Sequence, residues 1–193
     1  VYPARDDVET DEETPPNRAR IDGYTLNKVE SEGRVLQRVR ERQLPAVVLR
    51  PGFIYGPRDR TVLPRVLERL KTQQFAYLGS PDKLMNNTYV ANLVDAIVLA
   101  SARPDVVGKV FNITDGRLVT KREFIETIAS AAGYPLPQKV VPLGVAKTLA
   151  RVLETLYRTL GKREAPLLSN APPTDFADAM KSTIEWFRQA DMI

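Results

Sequence analysis

A short apolar run constrains the fold more than any other feature of this 193-residue sequence. The run, Ala46–Leu49, lies between a charged segment and a turn that contains Pro51 and Gly52. Successive apolar residues with β-branched members are typical of a buried strand in a parallel sheet. Segments with helical spacing alternate with this run and with similar runs, and that alternation predicts an α/β fold.

Hydrophobic spacing and turn residues set the expected elements. Helices are predicted over residues 24–42, 62–73, 92–102, 121–133, 144–160 and 175–189, and further strands over 75–78, 88–90, 110–113 and 140–141. Thr120 and Glu123 form a capping box before a helix that ends at Gly133. The mostly apolar helix over 92–102 is expected to be buried. The acidic, proline-containing segment from Ala4 to Arg20 is expected to be a surface loop.

Two missing residue types narrow the possible chemistry. The chain has no Cys and no His. Their absence excludes disulfides, thiolate nucleophiles, imidazole catalysis and metal sites built from these ligands. Acid–base chemistry must therefore use Tyr, Lys, Asp or Glu. A reducing, cytoplasmic compartment is expected.

Charge and hydropathy limit the partners. The 28 basic and 24 acidic residues are interspersed and give a net charge of +4, so we expect a solvated surface and no nucleic acid partner. No apolar run reaches the roughly 18–20 residues that span a bilayer, so no integral membrane segment is expected. The apolar face of the 144–160 helix is interpreted as core-facing, with a membrane-surface helix as the alternative.

One pair of side chains suits acid–base chemistry. Tyr24 and Lys28 stand four residues apart at the start of a predicted helix, so they share one face. A tyrosine ordinarily ionises near pH 10. An ammonium about 4 Å away stabilises a phenolate by up to ~4 kcal/mol at an effective dielectric of about 20, before desolvation is subtracted. Such a tyrosine can take a proton from an alcohol while hydride leaves the carbon.

The alternative interpretation of this pair is a surface tyrosine at a helix start. Only one of the seven tyrosines has a lysine at this spacing, and a single match can arise by chance. The pair therefore needs support from its surroundings.

Further motifs surround the pair. In order along the chain they are Val1-Tyr2, the acidic segment Asp11–Pro15, Tyr24-x-x-x-Lys28, Leu49–Asp59, Thr88–Ala96 and Gly108–Gly116. This order resembles the extended short-chain dehydrogenase/reductase family, which includes NAD-dependent nucleotide-sugar epimerases and dehydratases and the 3β-hydroxysteroid dehydrogenase-like enzymes. The resemblance covers nearly the whole chain, and it depends on the combination of motifs rather than on any single one.

The resemblance implies roles for particular residues. Tyr24 matches the catalytic tyrosine, and Lys28 matches the lysine that favours its ionised form and holds the nicotinamide ribose. Pro51, Gly52 and Phe53 match a loop that packs against the nicotinamide. The implied cofactor is NAD or NADP, and no metal is expected.

The chain departs from the family pattern in its phosphate site. The family's glycine-rich dinucleotide loop lies roughly a hundred residues before the tyrosine, and the sequence contains no glycine cluster that replaces it. The chain is therefore expected to be a C-terminal portion. The expected fold is α/β, with a partial Rossmann-type parallel sheet and a smaller C-terminal α/β substrate-binding lobe. Residues 1–60 would be the remainder of the dinucleotide-binding domain. Residues 61–193 would form most of the lobe, with 88–116 partly returning to the core.

The substrate is less defined by the sequence. Nucleotide-sugar members usually place an arginine shortly before the Thr-Tyr-Val segment, and our alignment puts Met85 there, followed by Asn86 and Asn87. An apolar residue suits a sterol-like substrate, although Arg58 and its basic neighbours could receive an anion. Ordinary packing is the alternative for Met85.

The resemblance thus predicts an NAD(P)-dependent oxidoreductase or epimerase. It would act on a sterol-like or sugar-derived secondary alcohol or ketone as its small-molecule substrate, and a homodimer through the Tyr-Lys helix is possible. The alternatives are a non-catalytic dinucleotide- or protein-binding module on the same scaffold, or an inactive truncated product.

Overall fold

The computed structural model describes residues 10–16, 23–145, 185 and 188. Its helices are α1 (Gly23–Arg42), α2 (Leu63–Lys71), α3 (Val90–Ser101) and α4 (Lys121–Ala132), with a short 3-10 helix at Pro104–Val106. Its strands are β1 (Val48–Pro51), β2 (Phe53–Tyr55), β3 (Tyr77–Leu78), β4 (Leu84–Met85), β5 (Asn87–Tyr89), β6 (Val110–Ile113), β7 (Val119–Thr120) and β8 (Val140–Val141). The helices predicted over 144–160 and 175–189 lie almost wholly outside the described residues.

The chain divides into two compact units. Unit 1 comprises the described residues up to Pro51 together with Leu93–Ile113, and unit 2 comprises Gly52–Asn92 together with the described residues from Thr114 onward. The functional division that the sequence predicts near residue 60 stays a prediction.

Unit 1 contains the parallel strand that the apolar run predicted. β1 and β6 pair in parallel, with Val48 opposite Val110 and Pro51 opposite Ile113. The predicted strand at 46–49 is therefore confirmed, displaced by two residues toward the C-terminus. The long helix α1 agrees with its prediction to within one residue.

The burial expected for the third helix is wrong in the described structure. No residue of α3 is buried. Four of its large apolar side chains are 50–62% exposed, namely Val94, Ile97, Val98 and Leu99. Apolar composition expresses a preference for burial, but only an element that packs against the helix can bury it, and the sequence pattern does not specify that element.

Unit 2 contains three two-stranded pairings. β2 and β5 are parallel, β3 and β8 are parallel, and β4 and β7 are antiparallel. The segment between Pro51 and Pro57 was expected to be only a loop, but it includes strand β2. The flanking Pro-Gly and Gly-Pro pairs hid a three-residue strand, because such pairs indicate turns.

Apolar packing forms the core of unit 2. Leu63, Leu67 and Leu70 lie along one face of α2, and each is 1% exposed. They pack in a cluster with Phe124 and Ile128 of α4. Burying one such side chain contributes about 1.5–3 kcal/mol, so this cluster can stabilise unit 2 without help from charges.

Side-chain caps define the helix ends of unit 2. The Thr120 hydroxyl accepts the Glu123 N–H at 3.0 Å, and Gly133 ends α4 with a left-handed φ of 76°. The Thr120 half of the predicted capping box and the predicted helix end at Gly133 are thus confirmed. The Glu123 carboxylate instead pairs with Arg117. At α2 the Asp59 carboxylate accepts backbone N–H groups of the first turn.

Two kinds of feature are absent from the described ranges. None of the helices there is long and apolar enough to cross a membrane. In the same ranges, no group of three or more acidic, His or Cys side chains could hold a metal ion.

Candidate active site

Tyr24 and Lys28 lie together on the first turns of α1. The Lys28 Nζ stands 5.5 Å from the centroid of the Tyr24 ring. The Tyr24 side chain is 73% exposed, and Lys28 is exposed as well. The helical spacing therefore puts both groups on one face, where the phenol can reach a bound molecule. A cation in this position also attracts the aromatic ring, by about 0.5–1 kcal/mol at an exposed site.

A buried ion pair follows on the same helix. Glu32, one turn after Lys28, receives two hydrogen bonds from Arg50 of β1, at 2.7 Å from Nη2 and 3.0 Å from Nε. The Arg50 and Glu32 side chains are only 8% and 11% exposed. Neither residue was predicted to be functional. The sequence contained two signals: Arg50 directly follows the apolar run, and Glu32 stands four residues after Lys28.

The predicted nicotinamide loop is divided between the units. Pro51 ends β1 in unit 1, whereas Gly52 and Phe53 begin unit 2. Within unit 2 the Gly52 N–H donates to Thr88 Oγ1 at 3.0 Å, and the Phe53 N–H donates to the Asn86 carbonyl at 3.0 Å. These two backbone donors are therefore already bonded, and the packing of this loop against a nicotinamide stays a prediction.

The structure brings the predicted loop next to part of the predicted substrate segment. Phe53 of β2 lies opposite Asn87 of β5 in the parallel register. This adjacency was not predictable from the sequence, because 31 residues separate the two strands in the chain. Asn87 is fully buried, and neither its Nδ2 nor its Oδ1 has a hydrogen-bond partner among the described residues.

The other predicted substrate residues occupy different settings. Met85 is 7% exposed and belongs to the apolar cluster of unit 2. Asn86 and Arg58 are exposed, and Arg58 adopts a left-handed φ of 72°. Their contacts with a substrate stay predictions.

Gly56 shows why the loop after β2 has a glycine. Its φ is 143°, and an added Cβ would lie 2.6 Å from Val90 Cγ1. Only a residue without a side chain fits this close approach. Gly56 therefore has a structural role in this turn.

The Asp115 carboxylate accepts hydrogen bonds at the start of α3, a role that was not predicted from the sequence. Its carboxylate accepts the Tyr89 N–H at 2.8 and 2.9 Å, the Asn92 Nδ2 at 3.0 Å and the Tyr55 hydroxyl at 3.4 Å. A carboxylate at a helix N-terminus is favoured by the helix dipole. The Asn92 side chain, in the first turn of α3, is thus a donor to this carboxylate. The signal for Asp115 was an acid just after the carboxyl end of a parallel strand.

The chain is similar to proteins of known activity. The 3-beta hydroxysteroid dehydrogenase/isomerase family matches residues 1–143. A 2-alkyl-3-oxoalkanoate reductase of Shewanella oneidensis is 36% identical over 131 residues, which are 65% of this chain and 34% of that protein. A decarboxylating sterol-4-alpha-carboxylate 3-dehydrogenase of Candida albicans is 28% identical, over 98% of this chain and 63% of that protein.

Solved structures agree on the fold. The dTDP-glucose 4,6-dehydratase of Bacillus anthracis, solved in complex with NAD, is 20% identical with a TM-score of 0.64. The match covers 93% of this chain and 56% of that structure, and it confirms the predicted Rossmann-type α/β fold. The chain spans less than two thirds of the length of these relatives. The predicted resemblance is confirmed, and the chain belongs to the 3-beta hydroxysteroid dehydrogenase/isomerase family.

Proposed function

We propose that this chain supplies the acid–base pair of an NAD(P)-linked oxidoreductase that interconverts a secondary alcohol and a ketone. The observation that carries the proposal is the placement of the Lys28 ammonium 5.5 Å from the exposed ring of Tyr24. The relatives named above are a reductase and a dehydrogenase, which supports the same class of reaction.

Proton transfer is the role of Tyr24. Its phenolate accepts the hydroxyl proton of the alcohol as hydride leaves the carbinol carbon, and its phenol returns that proton when the ketone is reduced. The Lys28 ammonium stabilises the negative charge on the phenolate oxygen. A bound nicotinamide supplies the hydride acceptor or donor.

Tyr24 and Lys28 fit one part of a nicotinamide dinucleotide, its ribose. The exposed Tyr24 hydroxyl and Lys28 ammonium are suitable hydrogen-bond partners for ribose hydroxyls. The phosphates need a glycine-rich loop, which is absent from these 193 residues. We therefore expect the phosphate site to come from a region outside them, and we expect the isolated chain to bind NAD(P) too weakly to measure. Calorimetry that shows the isolated chain binding NAD(P) with a submillimolar Kd would contradict this expectation.

We further propose that the substrate is an apolar β-hydroxy or β-oxo acid. The names of both curated relatives describe an oxidised carbon next to the carbon that carries a carboxylate, on a largely hydrocarbon molecule. Met85 does not bear on this choice, since it is buried in the apolar cluster of unit 2, as ordinary packing would place it.

The test uses the holoenzyme, meaning this chain together with its dinucleotide-binding region. Tyr24→Phe should lower turnover of a 2-alkyl-3-oxo acid roughly 10²–10⁴-fold, as loss of a general acid does. Lys28→Met should lower it as well. Tyr134→Phe, a change of the same kind in unit 2, should leave it within threefold. Turnover of Tyr24→Phe within tenfold of wild type would rule out the assigned role.

A further inference from the structure

The helix that carries the proposed acid–base pair has little apolar packing of its own. Among the residues of α1, only Val29 is buried, at 2% exposure. Apolar contact is non-directional. Val35, Leu36 and Val39 are only partly buried. These apolar contacts hold the helix near its neighbours but favour no single rotation or axial position as strongly as a directional bond does. A directional contact would therefore have the larger influence on where Tyr24 and Lys28 point.

The pair formed by Glu32 and Arg50 has the required directionality. Glu32 is four residues after Lys28 and eight after Tyr24, hence roughly 80° from Tyr24 around the helix. Two parallel hydrogen bonds of 2.7 and 3.0 Å join its carboxylate to the guanidinium. A bidentate pair fixes both distance and relative orientation, and burial to 8% and 11% exposure keeps water from replacing it.

Arg50 also has contacts with residues outside α1. It lies in β1 opposite Asn112 of β6, and its Nη1 donates to the Glu12 carbonyl at 3.3 Å. The Glu12 carboxylate accepts the Asn112 N–H at 2.6 Å. The described part of the acidic segment was expected to be a surface loop, but Glu12 is half-buried and bonded to the sheet. The contacts therefore run from α1 through β1 and the loop to β6.

We propose that Glu32 and Arg50 are positioning residues for the proposed active site. Their pair sets the rotation and axial position of α1, and thereby the place where the Tyr24 hydroxyl meets the alcohol. Neither residue takes or gives the proton. The inference rests on the proposed role of Tyr24. A displacement of about 1 Å at a reacting group can lower a rate about 100-fold.

The kinetic test separates position from stability. In the holoenzyme, Glu32→Gln should lower kcat about 100-fold and leave the substrate KM within threefold, whereas Glu41→Gln, an exposed change on the same helix, should alter neither. The double variant Glu32→Leu/Arg50→Met replaces the ion pair with apolar side chains, which often preserves folding. It should regain the wild-type melting temperature but not the wild-type kcat. A double variant with kcat within threefold of wild type would overturn the proposal.

A second readout does not depend on turnover. Amide hydrogen exchange across residues 24–32 should accelerate at least tenfold in Glu32→Gln and in the double variant, with exchange in α4 unchanged. Unchanged exchange at 24–32 would overturn the positioning role whatever the kinetics. If the wild-type holoenzyme turns over no ketone while exchange accelerates as stated, the proposed function fails and the attachment of α1 stands.

Discussion

Unit 1 and unit 2 use different interactions in their interiors. Among the described residues, Val29 is the one buried apolar side chain of unit 1, beside the buried Arg50–Glu32 pair. Unit 2 has a cluster of eleven buried residues, several of them aromatic. Phe124, for example, meets Tyr55 edge to face with 5.5 Å between ring centroids.

The two kinds of interior differ in the stability and in the fixed geometry that they provide. Apolar clusters give stability in proportion to buried area and tolerate small shifts. A buried bidentate pair contributes less net stability but has one favoured geometry. Unit 1 carries Tyr24 and Lys28, so a directional contact is where their placement would be controlled.

Breaking the ion pair should have the largest effect. Glu32→Gln removes the negative charge that lies against the nearly buried Arg50 guanidinium and should destabilise unit 1 by about 3–5 kcal/mol. Hydrogen exchange of the β1 and β6 amides measures this loss. The control is Asp105→Asn, because the Arg103–Asp105 pair is as short, at 2.6 Å, but more than half exposed. This control should produce no measurable change, and equal losses in the two variants would refute the contrast.

Removing core volume should affect unit 2 to a somewhat smaller degree. Ile128 is fully buried in α4, so Ile128→Ala should cost about 3 kcal/mol through lost transfer energy and the remaining cavity. Denaturant unfolding with a probe in α4 measures it. Ile97→Ala in α3 starts from a side chain that is 51% exposed and should change stability by less than about 0.5 kcal/mol. A larger loss at Ile97 would mean that α3 is covered in solution.

The smallest effect is expected at Tyr77 and depends on pH. Burial, with a further contribution from the Glu126 carboxylate, raises the pKa of Tyr77 to about 12, whereas an unfolded tyrosine ionises near pH 10. Its contribution to stability is therefore fully present below about pH 10 and is lost as pH rises through about 12. Its buried hydroxyl has no hydrogen-bond partner among the described residues.

Tyr77→Phe should consequently leave stability at pH 8 unchanged or increase it by up to about 1 kcal/mol. It should also reduce the loss between pH 10 and 12, which melting temperatures of both proteins across that range would detect. Parallel losses in wild type and variant would show that Tyr77 does not control this window.

The parts of the fold that were predictable are those set by neighbouring residues. The bounds of α1 and the Thr120 cap depend on contacts within four residues, and strand β1 was predictable from its apolar run, although its partner β6 was not. Strand β2 was missed because its pairing with β5 depends on residues far away in the chain.

The same limit applies to the candidate site. The Tyr24–Lys28 contact was predictable from helical spacing. Asp115 and Glu12 were not, because each carboxylate bonds to groups that are distant in sequence. Exposure of α3 also depends on what packs against it, which its composition does not encode.

The proton transfer assigned to Tyr24 is decided by the rate of alcohol oxidation in matched variants of the holoenzyme. Tyr24→Phe should lower kcat/KM roughly 10²–10⁴-fold, because the general base is lost. Tyr134→Phe should stay within threefold of wild type. If Tyr24→Phe oxidises the alcohol within tenfold of the wild-type rate, another group moves the proton and the assignment to Tyr24 is wrong.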